Sequence, residues 1–344
     1  MSDPPGEFQL IAAIRERIER AGAPESVPGL ILGSGDDAAV SVHEGASAIT
    51  VDALVEGIHF RMPPFEPRNV GHKALATALS DLAAMGAGGS EAYVQLGVRE
   101  GITEEQLLEL ADGLGALAAT HGLAIAGGDV TRAPSLLLAV TAVGQAATPE
   151  ALVRRSGARA GDVLAVTGEL GGAAAGLMLL ERPELGAALD EPVAAGLRRR
   201  QLEPAPRLAA GAALATAGAT AMIDLSDGLG GDAGHLAAAS SAAIRIQGDL
   251  LPVQAGVAAV AESAGADAFE LVTGGGEDYE LLATLPPDRL EEAAAAVTAT
   301  GSDLTVIGSV DSGAGVELSG PGGESRPVGG FDQLRRRPAP PDRS

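Results

Sequence analysis

The sequence predicts two α+β domains in one chain. Three observations carry this. The chain has 344 residues, comfortable for two domains at the usual ~100–200 residues each. Nearly half of the residues are hydrophobic, mostly Ala, Val and Leu, enough for full cores built from small side chains. Helix-period and strand-period segments are mixed without strict βαβ alternation, and the texture changes at a polar, Pro-containing break, Gln145–Glu150. The predicted division is residues 6–147, residues 148–334 and a disordered tail over 335–344.

In chain order, Phe8 to Arg20 predicts an amphipathic helix, with Leu10, Ile11, Ile14 and Ile18 on one stripe. Ala38–Val42 and Ala48–Asp52 predict short strands around a His-Glu-Gly turn. Pro67 to Met85 predicts a helix with proline at its start and Gly86 after its end. Ala92–Val98 alternates as a strand. Thr103 suits the N-cap of a helix running to about His121, and Leu123–Ala126 and Leu136–Val143 suit strands. Beyond the break, strands are expected at Asp162–Thr167, Ala221–Asp224, Ala242–Gln247, Tyr279–Thr284 and Leu304–Ser309. Helices are expected near Gly171–Leu180, Gly228–Ala239 and Pro287–Ala299. From Ser319 onward, Gly, Pro and Arg predict loop and then disorder.

Composition excludes several function classes. The net charge is −23, and no basic face for nucleic acid is visible. Two Tyr, five Phe and no Trp leave few platforms for stacking bases. An acidic chain that handles phosphates needs cations to bridge like charges. No cysteine is present, which removes disulfides, thiolate metal sites and a cysteine nucleophile. The polar start, Met1 to Gly6, shows no signal pattern. The longest weakly apolar run, Leu208 to Ile223, falls short of the roughly 18–20 residues of a membrane span, so a cytoplasmic location is expected. Lys73 is the only lysine.

The informative residues are acids beside strand ends. Gly33-Ser34-Gly35-Asp36-Asp37 exposes paired carboxylates on a sharp turn, or is a solvated turn. Asp52 closes an apolar strand, as a ligand or a turn residue. Asp81 lies among small apolar neighbours in Ala78–Gly86, where a charge is costly unless paired or metal-bound. Gly127-Gly128-Asp129 lets a phosphate approach backbone N–H groups with a carboxylate beside it, or makes an ordinary turn. Asp224 and Asp227 flank a strand-to-helix junction; an N-cap role explains one of them, not both. Thr273–Leu281 joins three glycines to Glu277 and Asp278, either as a flexible loop or as a carboxylate held against a cationic ligand. Oxygen donors without sulfur and with few histidines select Mg²⁺ or Mn²⁺. No Walker A, kinase or HExxH pattern occurs.

These blocks, in this order, resemble the thiamine-monophosphate kinase family of the aminoimidazole-ribotide-synthetase-like superfamily. The resemblance runs from Gly6-Glu7-Phe8 to Gly330-Phe331-Asp332. It is carried most specifically by Ser80-Asp81-Leu82-Ala83-Ala84-Met85-Gly86-Ala87 and Gly275-Gly276-Glu277-Asp278-Tyr279-Glu280-Leu281. It implies a homodimer in which the N-terminal domains share an intersubunit barrel. It implies ATP-dependent phosphorylation of thiamine monophosphate, with several Mg²⁺ ions and no covalent intermediate. By position, it implies Asp37, Thr50, Val51, Asp52, Asp81, Asp129, Asp224 and Asp227 as metal ligands. Gly128, Asp129, Arg155 and Ser226 would contact ATP, and His59, Glu277 and Phe331 the thiamine substrate. Position 51 is Val where the family pattern has a hydroxyl residue: a ligand acting there through its carbonyl loses nothing, and one acting through its side chain leaves one metal more weakly bound. Gln333-Leu334 replaces a more usual His-Phe. Within the superfamily, selenophosphate synthetases and hydrogenase-maturation homologues would carry a characteristic cysteine, absent here. A non-catalytic nucleotide sensor and a cation-buffering protein are the readings from other classes. The second leaves the apolar settings of Asp81 and Asp129 unexplained.

Overall fold

The computed structural model describes residues 7–36 and 38–330. The expectations for Asp37, Phe331, Gln333-Leu334 and the 335–344 tail lie outside the described residues.

In the first half, helix α1 (Glu7–Arg20) is followed by strands β1 (Leu30–Leu32), β2 (Val40–Ser41) and β3 (Ala46–Val55). Helix α2 (Pro67–Ala84), β4 (Gly88–Val98), α3 (Glu104–His121), β5 (Ala124–Arg132) and β6 (Leu137–Ala146) complete it. A four-stranded sheet has the order β3-β6-β4-β5, with β4 and β5 parallel and the other pairs antiparallel. The caps follow the residues expected of them. Glu66 and Asn69 form a capping box around Pro67 at the start of α2, and Thr103 with Gln106 does the same for α3.

Glycines decide how closely these helices meet. A Cβ at Gly71 would stand 2.0 Å from the Leu110 carbonyl oxygen, and one at Gly113 equally close to that of Arg68. α2 and α3 therefore touch backbone to backbone. α2 is buried over most of its surface, including Leu75, Leu79 and Leu82.

The second half contains β7 (Val163–Thr167), α4 (Gly172–Glu181), α5 (Glu191–Leu202), α6 (Leu208–Thr216), β8 (Ala221–Asp224), α7 (Leu229–Ser240) and β9 (Ala243–Gln247). Then come α8 (Val257–Ala264), α9 (Ala268–Gly274), β10 (Leu281–Leu285), α10 (Leu290–Thr298), β11 (Leu304–Asp311), β12 (Gly315–Ser319) and β13 (Ser325–Arg326). The seven-stranded sheet runs β13-β12-β9-β11-β7-β10-β8, and only β12 and β9 are parallel. β10 is buried along its length. Leu281, Ala283 and Leu285 face α2 and α6 in a hydrophobic cluster shared with the first half. Leu282 turns the other way, into a second cluster with Leu164, Ile223 and Ile246. The two halves thus share a core through α2.

Several expectations need correction. β5 does not stop at Ala126; it runs through Gly127-Gly128-Asp129 because it pairs in parallel with β4, Gln95 opposite Asp129. The Ala38–Val42 strand shrinks to Val40–Ser41, paired with the unforeseen β1. Tyr279 does not begin a strand. Its φ is 49°, and Glu277 is at 60°, so the chain turns twice before β10. The stretch after Ser319 forms the short β13 on β12. Helices α5, α6, α8 and α9 were not foreseen. α6 is mostly Ala and Gly with no polar face, and Gly211 lets it sit against α2.

Candidate active site

Acids converge where the two halves meet. β3 presents Thr50 and Asp52 toward α2, and the far end of α2 presents Ser80 and Asp81. β8 ends in Asp224, and the turn into α7 carries Ser226 and Asp227. The Thr50 hydroxyl donates to Asp81 Oδ2 at 2.5 Å, and the Ser80 hydroxyl donates to Asp224 Oδ2 at 2.7 Å. Asp52 accepts from the Ala53 N–H at 2.7 Å.

Two of these carboxyls, Asp224 and Asp81, resist ionisation. Asp224 is only 4% exposed; burial first, and the nearby Asp81 second, push its pKa up to about 7. Burial also raises Asp81, against the Thr50 hydrogen bond, with Asp52 adding to the rise. Arg155, on an exposed loop, pulls both the other way.

Two members of this cluster escaped the sequence reading. Asp232, in the first turn of α7, accepts from the Ser226 and Asp227 N–H groups at 3.0 and 3.1 Å. Burial, then Asp224 and Asp227, push it up to about 8. The signal was present: like Asp81, it is an acid among small apolar residues, Leu229-Gly230-Gly231-Asp232-Ala233. Tyr279 is buried, and Glu277, Asp52, Asp224 and Asp227 all act on its hydroxyl. Burial raises it well above the usual tyrosine value.

Glu277 has firm partners of its own. Lys73 Nζ is 2.9 Å from Oε1, and Gln201 Nε2 donates to Oε2 at 2.6 Å. Burial opposes ionisation, but Lys73, Gln201 and His59 together bring the carboxyl below its ordinary value. His59 itself accepts the Val55 N–H at Nδ1, 3.0 Å away. Asp278 serves a different purpose. It accepts from the Gly171 and Ala173 N–H groups at the start of α4, while burial holds it up at about 6.

Other expected residues lie elsewhere. The strand register puts Val51, 67% exposed, on the sheet face opposite Thr50 and Asp52. Asp129 is on that same open face, exposed, taking a 2.8 Å hydrogen bond from Gln95. Its expected apolar setting is therefore incorrect. β3 and β5 are opposite edges of the sheet, three strand spacings or roughly 14 Å apart. The fold of a single chain does not bring Asp129 to Asp81. Gly128 lines a cavity of about 270 Å³ between α1, α3 and the sheet, walled by Ile14, Leu107, Leu110 and Val94 with Arg15 among its polar groups. A Cβ at Gly128 would stand 2.1 Å from the Val94 carbonyl oxygen.

Among the described residues, no three acids are close enough as they stand to enclose one ion. The donor set nevertheless fits a hard divalent cation. Asp224 is buried, the half-buried Asp81 repels it, and each takes a neutral hydroxyl as hydrogen-bond donor. A cation would relieve that repulsion.

The chain is similar to known proteins over most of its length. Residues 35–146 match the AIR synthase related protein N-terminal domain, and residues 159–320 match the C-terminal domain. A thiamine-monophosphate kinase of Mycobacterium tuberculosis is 39% identical over 280 residues, 81% of this chain and 80% of that one. The crystal structure of thiamine-monophosphate kinase from Stenotrophomonas maltophilia is 36% identical with a TM-score of 0.79, covering 92% of this chain and 97% of that chain. AaThiL complexed with AMPPCP and TMP is 31% identical with a TM-score of 0.74, covering 94% and 96%. The chain belongs to the AIR synthase related family and, within it, to the thiamine-monophosphate kinases.

Proposed function

We propose that this chain transfers the γ-phosphoryl group of ATP to thiamine monophosphate, giving thiamine diphosphate and ADP. The observation that carries the reading is the convergence of Thr50, Asp52, Asp81 and Asp224 beside Tyr279 and Glu277, in a chain 39% identical to a named thiamine-monophosphate kinase. A terminal phosphate oxygen of thiamine monophosphate attacks the γ-phosphorus in line. The bond to the β–γ bridging oxygen breaks, and ADP leaves with that electron pair. The acceptor phosphate is already ionised at neutral pH, so no strong base is required. Mg²⁺, when bound, neutralises the phosphate oxygens of both anionic substrates. Asp52, Asp81, Asp224 and Asp227, with Thr50, would hold it. Asp37 would join them by family position, and Val51 through its carbonyl. Arg155 meets a phosphate with its fork of donors, alongside Ser226. The base end of ATP fits the apolar cavity beside Gly128. His59, Glu277 and Phe331 contact the thiamine portion.

A homodimer is part of the proposal, as are the division into residues 6–147 and 148–334 and a cytoplasmic location. No helix among the described residues is long and apolar enough to cross a membrane. The open face of the four-stranded sheet leaves Ile49 and Val51 each 67% exposed, a surface suited to a second copy closing an eight-stranded barrel. If β5 of one protomer pairs with β3 of the other, Asp129 reaches the partner's site. Two variants, Asp81→Asn and Asp129→Asn, each inactive alone, then recover roughly a quarter of wild-type activity when unfolded and refolded together, because half the dimers carry one intact site. Mixtures that stay inactive would place Asp129 in its own protomer's site, and an Asp129→Asn variant active alone would place it outside catalysis. The activity itself is tested by chromatography of thiamine diphosphate formed from ATP, MgCl₂ and thiamine monophosphate. Product that forms without one of these additions, or not at all, defeats the reading.

A further inference from the structure

Lys73, the only lysine of the chain, is fully buried in the second turn of α2. Its Nζ lies 2.9 Å from Glu277 Oε1 and donates to the Gln201 carbonyl oxygen at 3.3 Å, and it stands 5.3 Å from the Phe65 ring centroid. Gln201, on α5, takes the other Glu277 oxygen. Both carboxylate oxygens are thus held, from two helices, while the Glu277 side chain stays 27% exposed. The backbone is fixed as well. Glu277 has φ 60°, Gly276 has φ 70°, and the Glu277 N–H donates to the Ser226 carbonyl at 2.8 Å. Burying an ion pair is a poor way to gain stability, because desolvation offsets the attraction. What the arrangement provides is distance. Lys73 and Asp81 sit on one rigid helix, eight residues or roughly 12 Å apart along its axis.

We propose that Lys73 is a positioning residue for the acceptor site. It keeps Glu277 ionised and in one orientation, and through α2 it fixes the acceptor-contacting carboxylate relative to the carboxylates around Asp81. This rests on the reading of Glu277 as a contact to the thiamine portion. It also changes that reading. Paired with Lys73, Glu277 meets the substrate as an oriented hydrogen-bond acceptor in a neutral pair, not as a bare counter-charge to the thiazolium ring.

The test is a double-mutant cycle on the full-length protein with steady-state kinetics for both substrates. Lys73→Met raises KM for thiamine monophosphate about tenfold, the scale of one charge-assisted hydrogen bond, and leaves KM for ATP within about twofold. In a Glu277→Gln background the same substitution adds nothing further. Gln201→Met, which removes the second hold with little change in volume, shifts KM the same way and covers the case in which Lys73→Met does not fold. A purely structural role predicts the opposite: parallel changes in both KM values, or an undiminished Lys73→Met effect in the Glu277→Gln background. Either result overturns the inference, as does an unchanged KM for thiamine monophosphate in both single variants. A wild-type chain that binds ATP but forms no thiamine diphosphate overturns the underlying reading, and this inference with it.

Discussion

Two buried acid clusters in this molecule behave in opposite ways. Glu280 is wholly enclosed, yet its carboxyl is held below the ordinary value of 4.5. Burial alone would raise it, but Arg200, Arg207 and the Thr167 hydroxyl together overcome that. Arg207 forks onto both oxygens at 2.8 and 2.6 Å, Thr167 donates at 2.7 Å, and Arg200 completes the set. Asp224 is as deeply buried, but its partners are a serine hydroxyl and other acids, and its pKa is pushed up to about 7. The difference separates structure from function. A buried carboxylate with its own cations is a finished part of the fold. One whose near neighbours are further carboxylates keeps a repulsion that a bound cation would relieve.

The first way to break this comparison is to neutralise each acid. Asp224→Asn is expected to lower phosphoryl transfer at least ~10³-fold, the scale of a lost electrostatic contact to a transferring phosphoryl group. Its melting temperature is expected to stay level or rise, since a repelled buried charge is removed. A variant with near-normal turnover would dissociate Asp224 from the chemistry. Glu280→Gln is expected to do the reverse, costing about 3–5 kcal/mol of stability by stranding two arginines. Urea unfolding measures this, and a loss under ~1 kcal/mol would mean that the arginines find other partners.

A pH series sharpens the contrast. The Glu280 pKa is depressed by folding, so its contribution is present above the unfolded value of about 4.5 and is lost as pH falls through the lower folded value. The stability gap between wild type and Glu280→Gln therefore holds near neutrality and narrows below about pH 4.5. A gap that widens in acid would reverse the assignment. The smallest expected effect is thermal. Millimolar MgCl₂ should raise the wild-type melting temperature by a few degrees, roughly, and leave Asp224→Asn unmoved. An equal shift in both would put the cation elsewhere.

Much of the fold was legible. Thr103, Pro67 and Gly86 announced helix ends because capping chemistry is local. The apolar runs at Asp162–Thr167 and Ala221–Asp224 announced strands because burial on both faces demands β-branched and aliphatic side chains, and Ala242–Gln247 did so with one buried and one exposed face. Asp81 stood out because a charge among small apolar residues is expensive unless used, and Asp224 because an N-cap role explains only one of the two acids at its junction. The helices α5, α6, α8 and α9 were illegible for the opposite reason. Ala-rich stretches carry no strong period, and their burial is set by what packs on them.

The sequence by itself determined the chemistry available: clustered carboxylates, no thiol, one lysine and glycines where chains must meet closely. Only the tertiary structure decided which carboxylates share a site. β5 continues through Gly127-Gly128-Asp129 because its hydrogen bonds are taken up by β4, and that pairing carries Asp129 to the face away from Asp81. Lys73 meets Glu277 across 204 positions of sequence, the difference of their two numbers, because α2 and the Gly276 turn pack into one core. Side-chain type is a local property that a sequence states outright. Which face a strand presents and which partner neutralises a buried charge depend on non-local pairing, and no window of sequence contains it.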